Sequence, residues 1–186
     1  MNIILLGAPA SGKGTQARLL AEKLGIYYFE MGYFLRKLAE NNPPVDEIIN
    51  KKGELLPDKM FFLAMKELLG EKISDGKGVI LDGFPRTISQ YGLLKNWFSE
   101  KNIKVDMAIF LDVGEKETIK RLSARRVYER RDDDKPPQIK KRLQIFNQNT
   151  KPLLDVFQRE GILFRVNGER PINEIHEDVV RIVEGK

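Results

Sequence analysis

Cysteine is absent from this sequence of 186 residues, and histidine occurs only once. The lack of cysteine excludes a disulfide scaffold and any cysteine-ligated zinc site, so we expect no zinc. The one histidine, His176, lies in a stretch of helical periodicity near the end of the chain, where we expect an ordinary surface side chain. We therefore expect the chemistry of this protein to depend on other residue types.

Long hydrophobic runs are absent as well. No apolar stretch approaches the roughly 18 residues that a membrane span requires. The opening segment, Met-Asn-Ile-Ile-Leu-Leu-Gly, has neither a positively charged leader nor a small-residue cleavage site. We expect a cytoplasmic protein without a membrane partner.

Positive charge exceeds negative charge, but it is not concentrated in one region. The formal net charge of +5 would be compatible with nucleic-acid binding. However, the arginines are scattered through predicted loops and form no continuous stripe interleaved with aromatic residues. Small polyanions explain this charge better, and we expect no nucleic-acid partner.

Short apolar runs rich in β-branched residues alternate with longer stretches of helical periodicity, a pattern typical of a parallel sheet with crossover helices. The predicted strands are residues 2–6, 26–29, 78–81, 107–111 and 162–166. The predicted helices are residues 12–23, 33–40, 58–69, 88–99, 117–126, 138–158, with a bend at Pro152, and 172–183. This pattern predicts a single α/β domain spanning residues 1–186.

Two regions do not fit the alternating pattern. Residues 30–56 are predicted to form a helical insertion between the second and third strands, and residues 126–134 a short, highly charged loop. Ligands of open α/β sheets collect at the carboxyl ends of the strands, so insertions there are candidate substrate covers.

The first predicted strand runs into a glycine-rich segment, Gly7-Ala-Pro-Ala-Ser-Gly-Lys-Gly-Thr15, and a helix follows directly. This context is typical of a P-loop, in which backbone N–H groups, a helix N-terminus and the ammonium of Lys13 bind phosphates. The hydroxyl that usually follows the lysine comes one residue later, because Gly14 intervenes. Alanine tolerates left-handed backbone angles poorly, so Ala10 is expected to have ordinary ones.

The third predicted strand ends in Leu81-Asp-Gly-Phe-Pro-Arg-Thr87, and Gln90 follows three residues later. An acid at a strand end, here Asp82, suits a Mg²⁺ ion that keeps its waters. The guanidinium fork of Arg86 suits phosphate oxygens. By itself, a strand-end Asp-Gly pair is equally consistent with a simple turn.

Together, the Gly-Lys-Gly-Thr loop and the Asp-Gly-Phe-Pro-Arg-Thr segment with its following glutamine resemble the signature of the adenylate kinases. These are nucleoside monophosphate kinases, and the resemblance extends over essentially the whole chain. It implies a P-loop three-layer fold with a five-stranded parallel sheet, in which residues 30–56 bind the acceptor nucleotide and residues 126–134 form a short lid. It also implies a reversible, Mg²⁺-dependent transfer of the γ-phosphoryl group of ATP to AMP, giving two ADP.

The resemblance implies a donor site, an acceptor site and a set of catalytic groups. For ATP it implies Ala10, Ser11, Gly12, Lys13, Gly14, Thr15, Arg121, Arg125 and, through its backbone, Arg170. For AMP it implies Met31, Arg36, Glu54, Leu55, Leu56, Gly83, Phe84, Pro85, Arg86, Gln90, Arg131 and Arg142. The catalytic groups are expected to be Lys13, Arg86, Arg121, Arg125, Arg131 and Arg142, with Asp133 and Asp134 orienting arginines. Magnesium is expected to bind through its waters near Asp82 and Thr15.

One segment departs from the family pattern. The acceptor motif of the family usually reads Ser-Thr-Gly-Asp, whereas this chain has Glu30-Met31-Gly32-Tyr33. Methionine can pack against a purine but cannot donate a hydroxyl hydrogen bond. We therefore expect Met31 to loosen the discrimination between acceptor bases without abolishing the preference for AMP implied by Gln90.

The expected reaction requires positive charge rather than a general base. A nucleoside monophosphate has a second pKa near ~6, so its attacking oxygen is already ionised at pH 7. The two substrates carry roughly six negative charges, of which one Mg²⁺ cancels two. The seven implied cations, one lysine and six arginines, can compensate the rest.

Two alternatives remain open. A kinase for UMP, CMP or a deoxynucleotide would have the same phosphate machinery, although such relatives usually carry Asn in place of Thr87 and lack Gln90. A catalytically weak nucleotide-binding module would keep the phosphate contacts without the turnover. We expect a monomer whose partners are ATP, AMP and ADP.

Overall fold

The computed structural model describes residues 1–40, 42–51, 56–74, 76–129 and 136–185, without the side chains of residues 50, 51, 74 and 126–129. The strands are β1 (Asn2–Gly7), β2 (Tyr27–Glu30), β3 (Val79–Asp82), β4 (Met107–Asp112) and β5 (Leu163–Asn167). The helices are α1 (Lys13–Leu24), α2 (Met31–Glu40), α3 (Pro43–Asp46), α4 (Asp58–Ser74), α5 (Ile88–Glu100), α6 (Glu115–Glu129), α7 (Pro136–Ile145), α8 (Leu153–Arg159) and α9 (Ile172–Glu184). Two π-helical segments cover Glu47–Lys51 and Phe146–Thr150.

The five strands form one sheet in the order β2-β3-β1-β4-β5, and every neighbouring pair is parallel. Leu5 of β1 and Glu30 of β2 both lie opposite Asp82 of β3. The carboxyl ends of these three strands therefore meet side by side, as expected for the ligand-binding edge of such a sheet.

Both faces of the sheet are covered, because consecutive strand residues point to opposite sides. Ile4 and Leu6 are buried in a cluster with residues of α4, α5 and α8. Ile3 and Leu5 are buried in a second cluster with residues of α1 and α9. These two helical layers confirm the predicted three-layer α/β fold with a five-stranded parallel sheet.

Each strand ends one residue beyond its predicted end. The additional residues are Gly7, Glu30, Asp82, Asp112 and Asn167. They are glycine or polar, so the hydrophobic pattern stops before them while the backbone pairing continues. The sheet therefore carries glycine or polar residues at the edge where its ligands are expected.

The long helix predicted for residues 138–158 is wrong as a single bent helix. The structure has α7, the π-helical segment Phe146–Thr150 and α8, which begins directly after Pro152. Proline has no backbone N–H to continue the ladder, and the Lys151 N–H donates to the Phe146 carbonyl instead, at 2.8 Å. Proline thus ends the helical ladder rather than bending it.

The charged loop predicted for residues 126–134 is wrong at its start, because α6 continues to Glu129. The stretch Arg-Val-Tyr-Glu contains no glycine or proline that would end a helix there. Residues 130–134 lie outside the described residues. Within the described parts of the chain, none of the helices combines the length and the hydrophobicity needed to cross a membrane.

Candidate functional site

A cleft of about 1070 Å³ opens at the carboxyl edge of the sheet. Its walls come from the loop after β1, the ends of β2 and β3, and residues of α1, α2, α6 and α7. The described residues that line it include eight cations: Lys13, Arg18, Arg36, Arg86, Arg121, Arg125, Lys141 and Arg142. The lining acids are Glu30, Asp46 and Asp82. Such an excess of positive charge in a concave site favours a polyanionic ligand.

The loop after β1 has the backbone conformation of a phosphate-binding turn. Gly12, the N-cap of α1, has φ +91° and no side chain that caps the helix, and the first turn of α1 contains no acid. The backbone N–H groups at the start of α1 are therefore available to an anion. The ordinary backbone expected for Ala10 is wrong, because its φ is +59°. A left-handed backbone is unfavourable for alanine, and Ala10 keeps it while packing against the buried cluster of Leu122, Ile139 and Leu143.

The glycine after the lysine has a steric reason. A Cβ at Gly14 would lie 3.2 Å from Asp82 Oδ2 and 3.6 Å from the hydroxyl of Tyr28. The missing side chain thus lets the start of α1 approach the end of β3. The same contact leaves little room for a hydroxyl-bearing side chain at residue 14, and the next hydroxyl along the chain belongs to Thr15.

Lys13 lies close to several charged groups. Its Nζ donates to the Ala8 carbonyl at 3.3 Å. Burial lowers the pKa of Lys13 to about 8; Asp82 opposes this shift, while the guanidinium groups of Arg86, Arg142 and Arg125 add to it. A bound phosphate would relieve this crowding of positive charge, which is the property expected of a phosphate-binding lysine.

Asp82 and Tyr28 form a hydrogen bond at the base of the cleft. The Tyr28 hydroxyl donates to Asp82 Oδ2 at 2.9 Å and lies 3.3 Å from Glu30 Oε2. Burial, and then the carboxylates of Asp82 and Glu30, raise the pKa of Tyr28 far above its usual range, so the hydroxyl remains a donor. Burial also raises the pKa of Asp82, whereas Lys13 and the Tyr28 hydrogen bond lower it.

Asp82 also has the properties of a group that holds a hydrated cation. Its Oδ1 is buried and has no hydrogen-bond partner among the described residues. Thr15 is exposed and lines the same cleft. In the described part of the chain, no three His, Cys, Asp or Glu side chains cluster as a metal cage would require. A single carboxylate in a cleft that also contains a threonine hydroxyl suits Mg²⁺, which keeps most of its waters.

The cleft arginines are held by neighbouring carbonyl and carboxylate groups. Arg86 Nε donates to the Gly83 carbonyl at 2.9 Å, and burial and then Arg142 lower the pKa of Arg86 to about 10. Arg121 donates through Nε to Glu117 Oε1 at 2.8 Å and through Nη1 to the Gly168 carbonyl at 3.0 Å. These contacts fix the direction of the guanidinium groups before any ligand binds.

Gln90 is buried next to Arg86 in a closed hydrogen-bond network. Its Oε1 accepts from the Arg86 backbone N–H at 2.7 Å, and its Nε2 donates to Asp58 Oδ1 at 2.9 Å. Asp58 Oδ2 accepts from the Thr87 hydroxyl at 3.1 Å, and this hydroxyl caps α5. The orientation of the Gln90 amide is therefore set by its neighbours. One amide hydrogen and one oxygen lone pair remain for a further partner.

The structure gathers most, but not all, of the predicted site residues. The cleft wall includes Ala10, Gly12, Lys13, Gly14, Thr15, Arg36, Asp82, Gly83, Arg86, Arg121, Arg125 and Arg142. Predicted residues that are buried and not part of this wall are Ser11, Met31, Leu56, Phe84, Pro85 and Gln90. The predicted residues Glu54, Leu55, Arg131, Asp133 and Asp134 lie outside the described residues. The Arg170 side chain forms an ion pair with Asp178 of α9.

Cleft residues that the sequence analysis missed include Arg18, Glu30, Tyr33, Asp46 and Lys141. A signal existed for Glu30, because it follows a predicted strand and parallel strands present their carboxyl ends to ligands. The others lie on helices, and only the packing of these helices around the cleft brings them to it.

Comparison with known proteins agrees with this geometry. The family model for adenylate kinase matches residues 5–162. In an alignment 216 residues long, the chain is 36% identical to an adenylate kinase of Thermodesulfovibrio yellowstonii, with 100% of both chains covered. It is 35% identical to an adenylate kinase of Archaeoglobus fulgidus, covering 99% of this chain and 98% of the relative. It is 36% identical over 187 residues to one of Phocaeicola vulgatus, with the same coverage. The P-loop, the anion-binding cleft and these matches together show that the chain belongs to the adenylate kinase family.

Proposed function

We propose that this protein catalyses the reversible transfer of the γ-phosphoryl group of ATP to AMP, giving two ADP. The observation that carries the proposal is the convergence of Lys13 and Arg86 on one cleft, beside Asp82. A phosphate-binding loop follows β1, and an arginine follows the adjacent strand β3. Two phosphate chains can therefore approach each other end to end.

The transfer requires positioning rather than proton transfer. An ionised oxygen of the AMP phosphate attacks the γ-phosphorus, while the bond from that phosphorus to the β,γ-bridging oxygen breaks and ADP leaves. Lys13, Arg121 and Arg125 are proposed to bind the donor, and Arg36 and Arg86 the acceptor. Arg142, together with Arg131, is proposed to stabilise charge on the transferring group. Mg²⁺ near Asp82 and Thr15 would neutralise part of the phosphate charge.

The acceptor base is proposed to bind above Gln90. An adenine edge presents one hydrogen-bond donor and one acceptor, and Gln90 retains one amide hydrogen and one oxygen lone pair. Met31, Leu56, Phe84 and Pro85 are buried around the acceptor side, so a base would enter only if this side opens. Glu54 and Leu55 remain predicted parts of this site.

Residues 30–56 and 126–134 are proposed as the two covers of the cleft. In the first, Arg36 of α2 already faces the cleft. The second carries Arg131, Asp133 and Asp134, whose predicted role is to close over the phosphates and exclude water. The alignment with the Phocaeicola vulgatus relative spans 187 residues, about the length of this chain. This agreement in length supports a short lid at residues 126–134.

A coupled assay for ADP tests the proposal. The protein is mixed with ATP, Mg²⁺ and, in turn, AMP, GMP, CMP and UMP, and AMP is expected to give the highest kcat/KM. Another preferred acceptor would contradict the assignment of AMP. The absence of turnover with every acceptor would favour a binding module.

The variant Arg86→Lys keeps the charge but loses the bidentate fork. We expect it to lower turnover by about 10²-fold or more. The matched control is Arg159→Lys, a change on the exposed surface of α8, for which we expect normal turnover. Near-normal turnover of Arg86→Lys would remove this residue from the site.

The association state and the cellular location remain predictions. We expect a cytoplasmic monomer, and light scattering after size exclusion would then give a mass of 21.4 kDa. A mass twice as large would contradict the prediction.

A further inference from the structure

Glu30 places a carboxylate inside a cleft whose overall charge favours anions. It is the last residue of β2 and lines the cleft, with 26% of its side chain exposed. An acid in such a position repels an incoming phosphate unless neighbouring cations compensate its negative charge.

The Glu30 carboxylate is shared between two cleft arginines and a tyrosine. Arg36 Nη2 donates to Oε1 at 3.3 Å, and Arg18 Nη2 lies 3.6 Å from Oε2. The Tyr28 hydroxyl is 3.3 Å from Oε2 but has only one hydrogen, for which Asp82, at 2.9 Å, is the closer acceptor. The arginines are therefore the main partners of the Glu30 charge.

The backbone leaves room beside the Glu30–Arg36 pair. A Cβ at Gly32, in the first turn of α2, would lie 3.2 Å from Arg36 Nη1 and 3.8 Å from Glu30 Oε1. A phosphate that binds Arg36 on its cleft side is consequently held close to the Glu30 carboxylate, because both anions contact the same guanidinium group.

We propose that Glu30 is an affinity-determining residue that competes with the acceptor phosphate for Arg36 and Arg18. This inference rests on the proposed function for the acceptor role of Arg36. An incoming phosphate must either share an arginine with the Glu30 carboxylate or displace this carboxylate from it. In both cases the phosphate binds next to the negative charge of Glu30. Glu30 therefore weakens the binding of the acceptor, and this effect depends on the charge of the acceptor.

The variant Glu30→Gln tests the inference, since it keeps the shape and removes the charge. We expect the Kd for AMP, measured by isothermal titration calorimetry, to fall by about tenfold. Adenosine, which lacks the phosphate, is expected to bind both proteins equally. The difference between wild type and variant is expected to shrink at high salt, because the opposing interaction is between partly exposed charges.

Glu40→Gln is the matched control, because Glu40 also belongs to an ion pair on α2, with Lys37, and is exposed outside the cleft wall. We expect its Kd for AMP to equal that of the wild type. Glu30→Ala provides a second removal of the charge should Glu30→Gln not fold, as judged by circular dichroism, and the same direction is expected.

Unchanged or weaker AMP binding in the folded Glu30 variants would overturn the inference. It would show that Glu30 positions Arg36 for the phosphate or has only a structural role. This outcome is distinct from failure of the proposed function, in which the wild type forms no ADP from AMP. In that case the same titrations would use whichever monophosphate the acceptor panel identifies, and unchanged binding of that ligand would again overturn the inference.

Discussion

Single side chains decide how the proposed acceptor side of the cleft is organised. Gln90 is 1% exposed, and its amide is oriented by a backbone donor on one side and by Asp58 on the other. An amide is a base-reading group only if its oxygen and nitrogen stay in place, since a flip exchanges donor and acceptor. The Arg86 N–H and Asp58, the first residue of α4, together oppose the flip.

We predict that Asp58→Asn reduces the selectivity for AMP over GMP. Asparagine can donate as well as accept, so only the Arg86 N–H would still select one orientation of the Gln90 amide, and the ratio of kcat/KM for AMP over GMP should fall by up to about tenfold. Turnover at saturating AMP should change little, because no phosphate contact is removed. The control is Asp155→Asn at an exposed position of α8. An unchanged selectivity ratio would show that Asp58 does not orient the reading group.

At the scale of elements, α4 is connected to the acceptor side through aromatic packing. Phe61 of α4 is fully buried, with its ring centroid 5.8 Å from that of Phe34 and 5.2 Å from that of Phe84. Phe34 lies on α2, and Phe84 follows β3. One side chain thus links two helices to the loop that carries Arg86.

We predict that Phe61→Ala lowers the free energy of unfolding by about 3–5 kcal/mol, because it opens a cavity among rings that cannot close the gap. Chemical denaturation measures this change. Leu63→Ala on the same helix removes a side chain that is 68% exposed, and it should cost less than about 0.5 kcal/mol. Similar losses for the two variants would mean that the ring cluster is not a structural link.

Helix α9 is tied to the loop after β5 by the ion pair between Arg170 and Asp178. The hydrogen bond from Arg170 is the main reason why the pKa of Asp178 lies below its usual value. A depressed carboxyl pKa stabilises the fold above the pKa of the unfolded chain, near ~3.9, and this contribution is lost as the pH falls through the folded pKa.

We therefore predict a structural rather than a catalytic role for the Arg170 side chain. Arg170→Gln should lower the Tm at pH 7, and the difference from wild type should begin to shrink below pH ~3.9 and disappear as the pH falls through the lower folded pKa of Asp178. The KM for ATP should stay within about twofold of the wild-type value, because only the backbone of residue 170 is expected to contact the donor. A large increase of this KM would assign the side chain to the nucleotide site.

At the scale of the whole molecule, the cleft concentrates cations from several elements around one open volume. Lys13 comes from the P-loop, Arg36 from α2, Arg125 from α6 and Arg142 from α7. The cations on separate elements repel one another. A bound polyanion attracts all of them, and this attraction outweighs the repulsion. Binding of both nucleotides should therefore draw the walls together.

We predict that a bisubstrate analogue with two nucleosides joined by a phosphate chain makes the protein more compact. Small-angle X-ray scattering should show the radius of gyration falling toward the roughly 16 Å expected for a compact chain of this length. AMP alone, as the control, bridges fewer walls and should cause a smaller change. An unchanged radius at saturation would contradict closure on binding.

Much of the fold follows from local patterns, whereas several of the differences involve contacts between segments distant in sequence. The hydrophobic pattern predicted strands that end one residue too early at the cleft, because the last residues, such as Glu30 and Asp82, are polar. Their backbones nevertheless pair as those of the preceding residues do. The break at Pro152 follows from the missing N–H of proline, but the segment before it and the turn at Ala10 also make contacts with distant parts of the chain. Thr150 Oγ1 donates to the Arg86 carbonyl at 3.0 Å, and Ala10 packs between α6 and α7.

The sequence by itself determined the family and indicated the candidate phosphate-binding groups, because a P-loop is one contiguous segment that is recognised from the order of its residues. Only the tertiary structure decided which groups act on one another across the cleft. Glu30 shares Arg36 and Arg18, and Asp58 orients Gln90, since helices and strands distant in sequence pack at one edge of the sheet. Such contacts depend on distances of a few ångströms between elements, and no pattern along the chain contains those distances.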